Sequence, residues 1–253
     1  MESKVSFALA QHKVEKGNIE ENIKTHKKLC ERAAHLKADV VIFPELSLTG
    51  YELEMLADLA ICHTSSLIHE LSNAAISNNL TVIAGCPLKS GQKKPYIGAV
   101  ICHPNGDVNF YQKQYLHQSE SDYCTAGNNN YFFVINQIKI SLAICADFTE
   151  PQHYLDAQAA NADVYLVSAL ISKGGFTTDC ELLSDIAKLT NSSVMLSNFI
   201  SETGGWKAAG KCSVWDNKGN LMVQGSDHQE GLTLCTIMNG LLSNVHFHST
   251  KET

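Results

Sequence analysis

Positive charge is scarce in this sequence, which contains a single arginine, Arg32. The 253 residues carry a formal net charge of −7, and no long basic run appears. Nucleic-acid binding depends on a basic face that neutralises phosphates, and anionic membranes repel an acidic protein. We therefore expect neither nucleic acid nor a membrane surface among its partners.

Long apolar runs and paired cysteine motifs are also missing. No stretch approaches the roughly 20 apolar residues that cross a bilayer, and residues 1–17 are too charged for a signal peptide. The nine cysteines are irregularly spaced and form no CxxC pair, so zinc-ribbon and thioredoxin-type sites are not indicated. These features predict a reduced, cytoplasmic protein without a metal or another cofactor.

What is present indicates a sizeable core. The composition is 44% hydrophobic and only 18% charged, as in ordinary globular domains. No Pro/Ser-rich linker or low-complexity segment divides the chain. We predict one α/β domain over residues 1–253, with a flexible tail at 240–253.

Apolar patterning predicts alternating strands and helices. Asn18 followed by Glu21 resembles a helix cap, and one apolar face continues to about residue 37. The run ADVVIFPE lacks polar alternation, which is typical of a strand covered on both faces in a mostly parallel sheet. Its start, Ala38-Asp39-Val40, recurs as Ala162-Asp163-Val164, which fits two similar β-α-β halves. Further strands are predicted at 5–10, 80–87, 96–103, 108–112, 132–135, 138–144, 162–169, 194–199, 211–215, 221–224 and 231–236, and helices at 151–160 and 178–189.

Cys145 occupies a position suited to chemistry. It ends the apolar run KISLAIC and precedes Pro151, a residue favoured at the first position of a helix. Sheets of α/β proteins place ligands beyond the carboxyl ends of their strands. Backbone N–H groups in the turn and a nearby helix start favour a thiolate and an oxyanion there. Most of nine cysteines must be structural, so position alone does not distinguish a nucleophile from a core residue.

Charged residues stand at two other predicted strand ends. Glu45 closes VVIFPE, and a carboxylate among apolar residues is unfavourable unless it has a partner or a role. Desolvation raises the pKa of such a carboxyl, which suits a general base. Lys113 closes VNFYQK and Glu120 follows in a polar loop, and for both a solvated surface position is the simpler interpretation. His117 and Glu120 are three residues apart, but no third metal ligand accompanies them.

Three motifs follow one another along the chain. A glutamate at the end of an apolar strand precedes a Gly-aromatic turn. A lysine precedes Leu, Glu and Gly, and a cysteine after an apolar strand precedes an acidic residue. The segments are FPELSLTGY (Glu45, Gly50, Tyr51), YQKQYLHQSESDYCTAGN (Lys113, Leu116, Glu120, Gly127) and AICADFTEP (Cys145, Asp147), with a weaker late pattern in MLSNF and AAGKCSVWDNKGNLM. From about residue 4 to residue 236, the chain resembles an amidase-like member of the nitrilase superfamily, the carbon–nitrogen hydrolases.

The resemblance implies both a fold and a reaction. The fold is an α-β-β-α sandwich of two mixed sheets covered by helices, usually assembled as a homodimer or higher oligomer. Cys145 is then the nucleophile of a Glu-Lys-Cys triad, Glu45 the general base, and Lys113 the cation that stabilises the tetrahedral intermediate. Glu120 resembles the second glutamate of the family, which positions the lysine or the substrate. The reaction is hydrolysis of a non-peptide amide in a small molecule, through an acyl thioester, with release of ammonia or an amine.

The substrate is less constrained than the chemistry. Family members that handle carboxylate-bearing substrates often have an arginine just after the cysteine motif, but Arg32 lies in the first predicted helix. Lys173 or Lys207 could supply a point charge, or the substrate is neutral or cationic. Acidic residues near the expected pocket would tolerate a cation, although a solvated rim explains them equally well; they are Asp147, Glu150 and Asp179. The predicted substrate-binding residues are Tyr51, Tyr123, Ala146, Phe148 and Phe176, with Trp206 as a further wall.

Other interpretations stay open at the level of sequence. Within the superfamily, the reaction could be N-carbamoyl-amine hydrolysis or nitrile hydrolysis. A non-catalytic binding module on the same fold is a different class, and the joint presence of all four candidate catalytic residues argues against it. A papain-like Cys–His pair would need a histidine partner. We interpret His117 and His153 as polar loop residues instead.

Overall fold

The structure, a computed structural model, describes residues 3–250. Its regular elements, in chain order, are β1 (Lys4–Gln11), α1 (Ile19–His35), β2 (Val40–Ile42), α2 (Leu56–Leu59), α3 (Ser66–Asn78), β3 (Thr81–Leu88), β4 (Tyr96–Cys102), β5 (Val108–Gln112), β6 (Tyr131–Ile135), β7 (Ile138–Ile144), α4 (Pro151–Ala159), β8 (Val164–Ala169), α5 (Phe176–Thr190), β9 (Ser193–Asn198), β10 (Glu202–Thr203), β11 (Trp206–Lys207), β12 (Ser213–Trp215), β13 (Leu221–Gln224), β14 (Gly231–Met238) and β15 (Leu241–Ser249). Short 3-10 turns cover Leu53–Met55, Gln118–Glu120 and Cys145–Thr149.

Two mixed sheets pack face to face between two layers of helices. The first has the order β15-β14-β1-β2-β3-β4-β5 and the second the order β13-β12-β9-β8-β7-β6. Strands β1, β2 and β3 are parallel, as are β7, β8 and β9, and the outer pairs are antiparallel. Helices α1 and α3 cover the first sheet, and α4 and α5 cover the second. The predicted α-β-β-α sandwich is confirmed.

The central strands bury both of their faces. In β2, Ile42 faces the core between the sheets, whereas Val41 packs in the layer that contains α1 and α3. In β8, Leu166 faces the core between the sheets, and Tyr165 and Val167 pack in the layer that contains α5. Successive residues of a strand point to opposite faces, so a strand covered on both sides is apolar throughout. This explains the unbroken apolar runs in the sequence.

The short Ala-Asp-Val repeat corresponds to a repeated piece of structure. Asp39 Oδ2 accepts a hydrogen bond from Ser6 N at 2.8 Å, which ties the start of β2 to β1. Asp163 Oδ2 accepts one from Lys139 N at 2.7 Å, which ties the start of β8 to β7. Each aspartate therefore fastens a parallel strand to its neighbour after a helix. This is the equivalence expected of two β-α-β halves.

The carboxyl-terminal segment differs from the prediction of a flexible tail at 240–253. Leu241–Ser249 forms β15, which pairs with β14 along its length, and its Leu242 and Val245 pack against the core. Asn239 and Gly240 both have positive φ and make the tight turn of this hairpin. The Asn-Gly pair was the available signal, but the polar residues of β15 obscured the strand. Residues 251–253 lie outside the described residues.

Helix α3 is a further element that the sequence prediction did not contain. Ser65 caps it by accepting a hydrogen bond from Leu67 N, and Ile68, Leu71 and Ala75 form its buried face. The cap and the spacing of these apolar residues were the signals for it. None of the helices between residues 3 and 250 combines the length and apolar character that a membrane span requires.

Candidate active site

Three of the four predicted catalytic residues form one buried ionic cluster. Lys113 Nζ donates hydrogen bonds to Glu45 Oε1 and to Glu120 Oε1, each at 2.7 Å. All three side chains are fully buried. The interpretation of Lys113 and Glu120 as solvated surface residues is therefore wrong. Burying three ionisable groups is unfavourable unless each is paired, and here the lysine lies between the two carboxylates.

Glu120 has both carboxylate oxygens engaged. Its Oε1 also accepts a hydrogen bond from the Tyr51 hydroxyl at 2.5 Å, and its Oε2 accepts one from His117 N at 2.7 Å. A carboxylate held in this way fixes Lys113 and is not available to a metal ion. Residues 3–250 contain no group of three or more His, Cys, Asp or Glu side chains arranged to hold a metal.

Two glycines let the loops that carry these residues approach the strands. A Cβ atom on Gly85 of β3 would lie 2.4 Å from Leu46 N and 2.6 Å from Pro44 O, which are the neighbours of Glu45. A Cβ atom on Gly127 would lie 2.5 Å from Gln112 O, next to Lys113. Side chains at either position would push the catalytic loops outward. Gly127 belongs to the lysine motif, whereas Gly85 was not distinguished by the sequence.

Cys145 lies where β7 ends, in a strained backbone conformation with φ of 44°. Positive φ is uncommon for residues with a side chain and often marks a functional turn. Asp147 holds this turn: its Oδ2 accepts from Ile144 N at 2.9 Å, and its Oδ1 accepts from Gln114 N and Tyr115 N at 3.0 Å. Asp147 is therefore buried and joins the cysteine turn to the segment after Lys113. It is not a rim residue that faces a substrate.

Burial dominates the electrostatics of Glu45. Burial raises its pKa to about 7, although the nearby Lys113 cation opposes the shift. Among the described residues, Glu45 Oε2 is buried without a hydrogen-bond partner by geometry. The neighbouring Cys145 thiol nevertheless acts on Glu45 as a hydrogen-bond donor that lowers its pKa. Lys113 holds the other oxygen, Oε1, so the thiol and the lysine share the carboxylate.

The surroundings of Cys145 favour the neutral thiol over the thiolate. Burial and the negative charge of Glu45 raise its pKa well above the ordinary value, and Lys113 only partly opposes this. We expected backbone N–H groups at the strand end to favour a thiolate, but burial and the Glu45 charge shift the pKa of Cys145 in the opposite direction. Burial lowers the pKa of Lys113, but the surrounding negative charges outweigh it and raise that pKa, so the lysine stays charged. The thiol must therefore lose its proton during the reaction.

A pocket of about 250 Å³ opens above Cys145. Of the predicted substrate-binding residues, Tyr51, Ala146 and Phe148 line it, together with Trp206 from the hairpin β10–β11. Tyr123 and Phe176 do not line it: Tyr123 is partly exposed, and Phe176 borders a different cavity beside α5. The remaining lining residues are His117, Thr149, Leu170, Ile171, Ser172 and Asp179.

The two histidines considered as partners of the cysteine have different environments. His117 is exposed and lines the pocket. His153 is buried in α4, where its ring nitrogens contact the Tyr111 hydroxyl at 2.9 Å and the Tyr165 hydroxyl at 2.7 Å. The interpretation of His153 as a polar loop residue is therefore wrong. It belongs to the hydrogen-bond network around Asp147.

Comparisons with known proteins agree with this geometry. The family model described as "Carbon-nitrogen hydrolase" matches residues 6–246. The 2-oxoglutaramate amidase of Bacillus subtilis (strain 168) is 28% identical over 169 residues, which are 66% of this chain and 65% of that protein. The NitN amidase of Nesterenkonia sp. AN1 has a TM-score of 0.83 at 20% identity, with 91% of both chains covered.

A glutamine-dependent NAD+ synthetase from Acinetobacter baumannii has a TM-score of 0.88 at 22% identity, over 99% of this chain and 49% of that chain. This chain thus spans slightly less than two thirds of the Bacillus amidase and about half of the synthetase. The structural similarities establish the fold, and the family model covers nearly the whole sequence. The chain belongs to the carbon–nitrogen hydrolase family.

Proposed function

We propose that this protein hydrolyses the carbon–nitrogen bond of a non-peptide, small-molecule amide through an acyl thioester on Cys145, without a cofactor. The observation that carries the proposal is the buried Glu45 carboxylate, which Lys113 holds through one oxygen and which lies beside the Cys145 thiol at the base of a pocket. A buried carboxyl with a pKa of about 7 is suited to both accepting and returning a proton near neutral pH.

The first half of the reaction forms the thioester. The Cys145 sulfur attacks the amide carbon as Glu45 takes the thiol proton, and the carbonyl oxygen becomes an oxyanion. The Lys113 ammonium and the backbone N–H of Ala146 stabilise this oxyanion, and donors of this kind contribute about 3–4 kcal/mol each. Protonated Glu45 then gives its proton to the nitrogen. The carbon–nitrogen bond breaks and ammonia or an amine leaves.

The second half regenerates the enzyme. Water attacks the thioester carbon as Glu45 takes one of its protons, and a second oxyanion forms at the same position. Collapse of this intermediate breaks the carbon–sulfur bond and releases a carboxylic acid, and the sulfur recovers its proton from Glu45. Glu120 takes no part in proton transfer here, because Lys113, Tyr51 and His117 N occupy its oxygens. It positions the lysine.

Two neighbouring reactions use the same groups. N-carbamoyl-amine hydrolysis and nitrile hydrolysis also begin with attack by a cysteine, and the pocket is compatible with each. The similar Bacillus protein is a 2-oxoglutaramate amidase, which favours an amide as the first substrate class to test. A non-catalytic module has no need for a strained cysteine beside a buried carboxylate and its lysine.

The direct test is a panel of small amides assayed for ammonia release, with intact-mass detection of an acyl adduct. We expect a mass increase equal to the acyl group, located on Cys145 by peptide mapping. Turnover without any adduct at Cys145, under rapid acid quenching, would rule out the thioester mechanism. An adduct on one of the other eight cysteines would rule out the assignment of the nucleophile.

The pH dependence of kcat/KM on an uncharged amide should have an acid limb near pH 7. Glu45 accepts the thiol proton only when it is ionised, and its pKa is about 7. Below that pH we expect kcat/KM to fall about tenfold per unit, since only the ionised fraction reacts. Asp185→Asn, which changes an exposed carboxylate on α5, should leave the limb in place. A limb near the ordinary glutamate pKa of about 4.3 would contradict the assignment of Glu45.

We also propose that the protein is cytoplasmic and forms a homo-oligomer. All nine cysteines are free, which suits a reducing compartment.

Helices α4 and α5 expose Leu155 and Leu189, which are 43% and 59% accessible. The double variant Leu155→Lys/Leu189→Lys should therefore shift the mass in analytical ultracentrifugation from oligomer to monomer. Ile76→Lys on α3 is the matched control for an equally exposed apolar residue on the opposite layer, and an unchanged mass for both variants would place the interface elsewhere.

A further inference from the structure

The pocket above Cys145 is lined by a carboxylate and, among its described residues, by the imidazole of the exposed His117. Among its described lining residues, Asp179 is the carboxylate, and neither lysine nor arginine is present. At its base, the Lys113 cation faces two carboxylates rather than one. A substrate carboxylate entering this pocket would meet repulsion from Asp179 with no compensating partner.

Two lysines, Lys173 and Lys207, adjoin pocket-lining residues in the sequence, but neither lines the pocket. Lys173 and Lys207 are joined through the backbone, with Lys173 N donating to Lys207 O at 2.9 Å. Both residues are exposed. Exposed lysines are screened by water and contribute little to binding an anion inside the pocket. They do not replace the arginine that the sequence lacks after the cysteine motif.

The Asp179 carboxylate is half-buried and has no partner in the structure. It lies in the first turn of α5, and no hydrogen bond or ion pair reaches its side chain from residues 3–250. Burial raises its pKa above the ordinary value, and no cation opposes the shift. By contrast, Asp185 on the same helix accepts a hydrogen bond from Lys188 Nζ at 2.9 Å. Asp179 is thus a desolvated carboxylate that lacks a counter-ion.

Aromatic side chains also line this pocket. Tyr51, Phe148 and Trp206 line the pocket together with Asp179. The faces of aromatic rings attract cations, most strongly that of tryptophan. Trp206 is presented by the β10–β11 hairpin, which Glu52 anchors by accepting a hydrogen bond from Gly204 N at 2.9 Å. A carboxylate and aromatic rings around one cavity form the environment that binds an organic ammonium group.

We infer that the site takes small aliphatic amides that carry a primary ammonium group at the far end, and that Asp179 is the specificity-determining residue that binds this group. The inference rests on the proposed amidase function, because it concerns the same pocket. An acidic residue in the first turn of a helix also stabilises the helix dipole. If Asp179 had that role alone, its replacement would change kcat/KM equally for all substrates. If Asp179 binds the ammonium group, its replacement lowers kcat/KM for cationic substrates only.

The experiment compares three matched series of amides on the purified protein. The cationic amides are 3-aminopropanamide, 4-aminobutanamide and 5-aminopentanamide. The neutral counterparts are butanamide, pentanamide and hexanamide, and the anionic counterparts are succinamate, glutaramate and adipamate. Within each length only the terminal group changes. We expect kcat/KM to be highest for a cationic amide and lowest for its anionic counterpart.

The variant Asp179→Asn tests whether Asp179 binds the ammonium group of the substrate. Hydrogen bonds to charged groups are strong enough that we expect roughly a 10- to 100-fold loss of kcat/KM on the best cationic amide. The neutral counterpart should change by less than about threefold, because it makes no ionic contact. Asp179→Glu should restore most of the cationic preference. Asp185→Asn, the same substitution on the same helix, should change neither substrate, and thermal melting of each variant verifies its folding.

The outcomes separate this inference from the proposed function. If neutral or anionic amides react as well as cationic ones in the wild-type protein, the inference fails while the amidase function stands. If Asp179→Asn lowers both series equally, Asp179 has only a structural role and its assignment is wrong. If Asp179→Asn does not fold, the wild-type ranking and Asp179→Glu still decide. If none of the nine amides is hydrolysed and none acylates Cys145, the proposed function fails with it.

Discussion

Cys145→Ala should abolish amide turnover, with a loss of roughly a thousandfold or more in kcat and no acyl adduct by mass spectrometry. Among the described residues that line the pocket, Cys145 carries the thiol, and a thioester cannot form without it. Glu45 and Lys113 remain in place in the variant, but activating water directly for attack on an amide is much less effective than attack by the cysteine. The measurement is ammonia release at saturating substrate.

The fold of Cys145→Ala should be retained. The backbone at this position has φ of 44°, and alanine and cysteine experience similar strain there because both have a Cβ atom. Cys180→Ala is the matched control, since it removes another partly buried thiol in the same half of the molecule. We expect full activity from this control. Comparable activity in Cys145→Ala and Cys180→Ala would show that the nucleophile is not Cys145.

The sequence was informative wherever apolar runs end in an unusual residue. Glu45, Lys113 and Cys145 follow strands β2, β5 and β7, and parallel strand ends in packed sheets bring such residues together. The fold class was predictable because apolar runs without polar alternation indicate strands that are covered on both faces. The family was predictable because the three motifs follow one another along the chain in the order that the family shows. The burial of Lys113 and Glu120 was not predictable, since it results from Tyr51 and Glu45, which are distant in sequence.

The pocket was only partly predictable. Tyr51, Ala146 and Phe148 adjoin catalytic motifs, and their place in the pocket follows from that proximity. Trp206 was predicted as a wall of the pocket and does line it, but the short β10–β11 hairpin that carries it was not predicted, because apolar periodicity does not detect two-residue strands. Phe176 begins helix α5 but points to the other side of it, which the sequence does not indicate. The sequence did not distinguish the environments of the acidic residues. In the structure, Asp147 is buried beneath the cysteine turn, whereas Asp179 lines the pocket.

Lys113→Met should lower the free energy of unfolding by about 3–5 kcal/mol and should also inactivate the protein. The substitution leaves Glu45 and Glu120 buried next to each other without their shared cation. Globular proteins are stable by only about 5–15 kcal/mol, so the variant should lie close to its folding limit. Urea unfolding followed by circular dichroism gives the measurement. Lys188→Met, which removes an exposed partner of Asp185, should lower the free energy of unfolding by at most about 1 kcal/mol.

The destabilisation of Lys113→Met should depend on pH in one direction. Without the lysine, whose charge lowers the pKa of Glu45, that pKa in the folded state should rise still further above its value in the unfolded chain. Groups shifted in this way contribute most to stability below the unfolded pKa, and the contribution is lost as pH rises through the folded pKa. Because Glu45 already has a raised pKa of about 7 in the wild type, the gap in stability between variant and wild type should widen above about pH 7. Lys113→Met/Glu120→Gln, which removes one of the two charges, should recover much of the lost stability. A gap that stays constant over this range, or a double variant no more stable than the single one, would show that Lys113 does not serve as the counter-ion of the buried pair.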